Sequence, residues 1–287
     1  MTDETKQIKG GLIYKKPDKR NFNFGKVFGT IDLSEIPADF IVAEPKQKDQ
    51  GDTDFCSAFS STSASEPQEG VELNPFWQFA VSKVISGDPE AWGQTLENAI
   101  KVHTKYGAIN ESDFDRGEFG DEELRYIKNY PEELFEKAEE YKKQSYFEAK
   151  GYKETFDSYR ACLWANRTTK RLLITGVILH DSWIDSQDGI IKESGNPVSG
   201  DACIIIGQKT IDGEPYLIAQ LSAGEKIGDK GKLYYSREMI NKYFNFGGFL
   251  FVDMLPGEAK KKAWSVWRRI WESVKKNIRW YFEEIFK

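Results

Sequence analysis

The chain of 287 residues holds two histidines and three cysteines, and both shortages are informative. Cys56, Cys162 and Cys203 are an odd count without metal-ligand spacing, so neither a disulfide framework nor a zinc site is expected. No apolar run approaches the ~20 residues needed to cross a bilayer. The start, Met-Thr-Asp-Glu-Thr-Lys, lacks the apolar core of a secretory signal. A cytoplasmic protein is expected, or one working inside a particle assembled in the cell. No nucleic-acid motif is present and no cofactor is implied.

What is there reads as an ordinary globular composition, 39% apolar and 30% charged. The net charge of −6 is uneven. Residues 258–287 carry nine Lys/Arg against four Glu, which leaves an acidic body poorly suited to nucleic acid.

Residues 1–45 read as an extended lead-in, broken at Pro17 and Pro37. A helix is predicted from Cys56 to Glu66, which is free of Gly and Pro, with Asp52 or Asp54 helping to open it. Asn74-Pro75 opens a second helix, to about Ile85, and Thr95–Tyr106 forms a third, closed by Gly107. The charged stretch 122–150 has apolar residues at helical spacing (Leu134, Phe135, Ala138, Tyr141), and Phe156–Asn166 makes another helix. Short strand-like runs follow at 172–179, 202–206, 216–220, 233–235 and 248–252. Helices first and strands second imply an α+β architecture. The divisions expected are 1–45, a helical lobe at 46–170, a β lobe at 171–255 and a tail at 256–287.

Gln50 to Ser60 reads Gln-Gly-Asp-Thr-Asp-Phe-Cys-Ser-Ala-Phe-Ser. It resembles the nucleophile segment of papain-like cysteine peptidases, roughly Gln-Gly-x-Cys-Gly-Ser-Cys-Trp-Ala-Phe. Gly200-Asp201-Ala202 with Gly207 resembles the family's Gly-His-Ala strand. Tyr216 to Gly224 resembles its Trp-x-x-x-Asn-Ser-Trp-Gly segment, and Gly228-Asp-Lys-Gly231 its glycine-rich hairpin. Cys56 and Asp201 lie 145 residues apart, inside the ~130–150 typical of a papain-type Cys and His. The resemblance covers about residues 12–253 and implies a two-lobed fold with the site between helical and β lobes.

The resemblance implies Cys56 as nucleophile and Gln50 as oxyanion donor. It also implies a degenerate site, because Asp201 stands at the histidine position, Leu221 at the orienting asparagine and Ala223 at the shielding tryptophan. A thiolate is stabilised by a neighbouring imidazolium; a carboxylate in that place raises the thiol pKa instead. His103 and His180 occupy no motif position and read as surface or capping residues. Cys162 and Cys203 read as core, and Asp49, Asp52 and Asp54 as a solvated loop rather than a cation site.

Beyond Pro256-Gly257, Trp264, Trp267, Trp271, Val274, Ile278, Tyr281 and Ile285 alternate at spacings of three and four. This is an amphipathic helix with basic residues on its other faces. Trp264, Trp267, Trp271, Ile278 and Tyr281 are the candidate partner-binding residues. Docking on a protein subunit through residues 258–287 is expected; packing on its own body and binding at a membrane surface are the alternatives. The functional expectation is a pseudopeptidase that serves as a binding or structural module for protein or peptide partners, through its cleft and its Trp-rich C-terminal helix. An active cysteine peptidase, or an acyl-transfer enzyme using Cys56, is the alternative.

Overall fold

The computed structural model describes residues 10–184, 186–191 and 195–252. The tail expected at 256–287, with Trp264, Trp267, Trp271, Ile278 and Tyr281, lies outside the described residues.

In chain order the elements are α1 (Phe24–Phe28), β1 (Phe40–Ile41), α2 (Cys56–Glu69), α3 (Pro75–Ser86), α4 (Leu96–Lys105) and α5 (Leu134–Ala138). Then come β2 (Ser145–Glu148), α6 (Thr155–Ala165), β3 (Leu173–His180), α7 (Asp181–Ile184) and β4 (Ile190–Ile191). The chain closes its described part with β5 (Pro197–Ile211), β6 (Glu214–Leu221), β7 (Lys232–Ser236), α8 (Arg237–Tyr243) and β8 (Gly248–Val252). This is an α+β architecture.

Several helix boundaries follow from local chemistry. The Asn74 side chain accepts from Trp77 N–H at the start of α3, with Pro75 in the first turn where its missing N–H costs nothing. Thr95 caps α4 in the same way by accepting from Asn98 N–H. α2 differs from expectation. Its N-cap is Phe55, which makes no side-chain capping bond, because the Asp54 carboxylate is drawn away to Arg125 at 3.0 Å and to Gly93 N–H.

Residues 122–150 also depart from the helical expectation. Pro131 interrupts the segment, which folds as short 3-10 turns and the five-residue α5. Its end becomes β2, whose Ser145–Glu148 pair antiparallel with Val252–Phe249. A remote strand therefore overrides local helix propensity.

Among the described residues, eight strands form one sheet in the order β2-β8-β3-β5-β6-β7-β4, with β1 on β5. The pairings are antiparallel except β4 with β7, which is parallel. The long β5 alternates between two cores, as a strand with period two must. Cys203 and Ile205 join Phe156, Tyr159 and Ile240 in one cluster, while Ala202, Ile204 and Ile206 join Cys56, Ala64 and Ile100 in the other. The second cluster seats the N-terminus of α2 against β5 and so fixes the site.

Candidate functional site

Cys56 is the first residue of α2 and is completely buried. The carboxylate of Asp201 faces it from β5, close enough for each group to shift the other's titration. The backbone N–H groups of Ala202 and Gly11 lie beside the sulfur and favour its charged form. Asp201 is 2% exposed and its Oδ1 also accepts from Ala202 N–H at 2.9 Å. Cys56 and Asp201, 145 residues apart in sequence, thus meet where α2 packs on β5.

Burial is the first electrostatic fact here, because it penalises charge on either group. It pushes the Cys56 thiol well above the usual thiol range, and the adjacent Asp201 carboxylate pushes it further. The Asp201 carboxyl is itself raised by burial to about 6, against a smaller lowering by the Cys56 thiol and Ala202 N–H. The dipole of α2 favours a thiolate, but that favour is outweighed here.

Gln50 lies buried beside the start of α2. The Ser222 hydroxyl donates to its Oε1, and its Nε2 donates to Thr53 O at 2.9 Å. Gln50 N–H donates to Ser222 O at 2.8 Å, which ties the loop before α2 to the end of β6. Leu221 is buried among apolar residues of the β-lobe core and offers no group to orient a base.

The two histidines are buried rather than at the surface. His103 in α4 is fully buried, its ring against Phe251, and neither ring nitrogen has a hydrogen-bond partner among the described residues. His180 at the end of β3 stacks on Trp183 and uses Nδ1 on Gly195 O at 2.7 Å. Cys162 and Cys203 are core residues, as expected, and all three cysteines are unpaired. Of the aspartate trio, Asp54 is buried while Asp49 and Asp52 are exposed. Among the described residues no group of three or more His, Cys, Asp or Glu could hold a metal.

One feature was not foreseen from the sequence. Residues 10–13 of the lead-in cross directly over Cys56. Gly11 O accepts from Gln94 N–H at 2.8 Å, and Ile13 N–H donates to Gln94 O at 3.0 Å. On the opposite wall Leu12 N–H donates to Gly200 O at 3.1 Å. Two of its positions admit only glycine: a Cβ on Gly10 would lie 2.1 Å from Gly200 O, and one on Gly11 would lie 2.0 Å from Asp54 O. A Cβ on Gly93 would lie 1.9 Å from Gly11 O. The loop carrying Gly93 is held by buried charge, with Gly93 N–H donating to Asp54 and Lys83 Nζ donating to Gly93 O at 2.6 Å. The one sequence signal for this crossing was the Gly10-Gly11 pair itself.

No family model and no curated protein matches the sequence. Solved structures do. Xylellain, a cysteine protease from Xylella fastidiosa, superposes with a TM-score of 0.70 at 17% identity, covering 86% of this chain and 96% of that one. The fold is papain-like. A procathepsin L2 proteinase from Tenebrio molitor gives 0.63 at 18% identity, covering 85% and 78%. A procathepsin B from Trypanosoma congolense gives 0.60 at 14%, covering 85% and 87%. Within this papain-like fold, Cys56 opens the long helix and Asp201 faces it from the sheet. No helix among the described residues is long and apolar enough to cross a membrane.

Proposed function

We propose that the chain is a papain-like pseudopeptidase, retained as a binding or assembly module rather than as a hydrolase. The observation that carries this reading is the Cys56 thiol set against a buried carboxylate, with both groups beneath the protein's own residues 10–13. Hydrolysis of an amide needs a thiolate and a group that protonates the leaving nitrogen. If Asp201 took the thiol proton, the resulting thiolate would face the Gly11 and Ala202 N–H groups, but in a site drier than water. Burial and charge both oppose that ionisation. A carboxyl group is also a poor acid toward an amine near neutral pH.

With the centre filled by residues 10–13, partner binding falls to other surfaces, and the Trp-rich segment 258–287 is the proposed tether to an assembly. The unpaired cysteines fit a reducing compartment. The test is labelling of the full chain by a thiol-reactive peptide probe, read by mass spectrometry. Cys56 is expected to label only as fast as the protein unfolds. Rapid, pH-independent labelling between about pH 5 and pH 8 would identify an ionised nucleophile and overturn the proposal.

A further inference from the structure

Just past the crossing segment the chain opens onto a cleft of about 680 Å³, within the size range of small-molecule sites. It is lined by Lys16, Lys26, Lys150 and Lys153 against a single carboxylate, Glu148. Glu148 is buried and paired with Lys150 at 2.5 Å. Lys16, Lys26 and Lys153 have no carboxylate partner among the described residues. The acids nearest in sequence are engaged elsewhere: Asp18 with Arg20 at 2.5 Å, and Glu154 and Asp157 with Arg237 at 2.5 and 2.9 Å. Backbone bonding holds the site together, since Gly25 N–H donates to Lys150 O at 2.7 Å and seats α1 against the segment after β2.

This is a concentration of positive charge on a chain whose net charge is −6. A concave wall focuses such a field and favours anions of high charge. One lysine would satisfy a carboxylate; three without counter-ions suit a ligand with several phosphate charges, which lysine binds as a point charge. We propose that this cleft binds a polyphosphorylated ligand, either a free phosphate ester or the headgroup of a phosphorylated lipid. The cleft wall carries apolar surface for the second source: Tyr14 lines the cleft and is 59% exposed. The site is independent of whether Cys56 reacts.

The test uses the full chain with two probes, tripolyphosphate by titration calorimetry and phosphatidylcholine vesicles doped with phosphatidylinositol bisphosphate by co-sedimentation. Saturable binding of either probe supports the site. Tripolyphosphate alone points to a free ester, and vesicles alone point to a headgroup. The double variant Lys26→Gln, Lys153→Gln alters exposed side chains only and should keep the parental melting temperature. It is expected to weaken binding about tenfold or more. Lys105→Gln, outside the cleft, should leave binding unchanged. Absence of saturable binding to both probes, or an equal loss in the Lys105→Gln control, overturns the proposal.

Discussion

Residues 10–13 and residues 14–17 are one continuous stretch, yet they meet opposite surroundings. The first four cross over a thiol and a carboxylate removed from water, with no room for a Cβ at Gly10 or Gly11. The next four turn outward, and Tyr14, Lys16 and Pro17 border an open, lysine-lined cleft. The first region is built by shape and hydrogen bonding with its charges suppressed; the second is built by charge left uncompensated. A fold can thus close the place where catalysis would be expected while leaving a different concavity open beside it.

The sharpest way to break this contrast is to force the passage open. Gly11→Val places a side chain against the Asp54 carbonyl and should cost about 3 kcal/mol of stability by thermal or denaturant unfolding. Cys56 should then label before global unfolding. Unchanged stability would mean that residues 10–13 do not occupy the passage.

Removing the suppressed charge comes next. The unfolded chain loses the Asp201 proton near the ordinary 3.8 and the folded chain only at about 6, so this group withdraws stability as pH rises between those values. The deficit persists above them. Asp201→Asn is therefore expected to match the parent near pH 4 and to exceed it by about 2 kcal/mol at pH 7, from denaturant unfolding at the two pH values. An equal or lower stability at pH 7 would mean that Asp201 is well solvated or charge-paired.

The smallest effect calibrates that result against burial elsewhere. Burial, with a lesser contribution from the Lys143 ammonium, holds His103 well below the usual imidazole value. Its contribution is complete above pH 6.5 and is lost as pH falls, the opposite sign to Asp201. His103→Leu should reduce the acid-side loss by about 1 kcal/mol near pH 5.5, read by the same unfolding measurement. A pH dependence identical to the parent's would show that His103 titrates in the folded chain as it does in the unfolded one.

The legible and illegible parts of the sequence separate by the range of the forces involved. Asn74-Pro75 and Thr95 marked helix starts because a capping side chain acts within three residues. The strands of the second half were legible from β-branched and aromatic runs, although β5 extends well beyond its predicted apolar centre. Residues 145–148 read as helical because their pairing partner lies about a hundred residues later. Asp54 read as solvated because Arg125, which buries it, is 71 positions away. Both histidines read as surface or capping residues: the Phe251 ring against His103 lies far along the chain, and Trp183, only three residues beyond His180, does not by itself signal burial.

By itself, the sequence determined the α+β order and the pairing of Cys56 with Asp201, since motif residues at fixed separation suffice for both. Only the tertiary structure decided that the pair is dry, that the chain's own glycines lie across it, and that three lysines from separate segments share one cleft. Burial and uncompensated charge are properties of what surrounds a residue in space, and the residues that do the surrounding here come from distant parts of the chain.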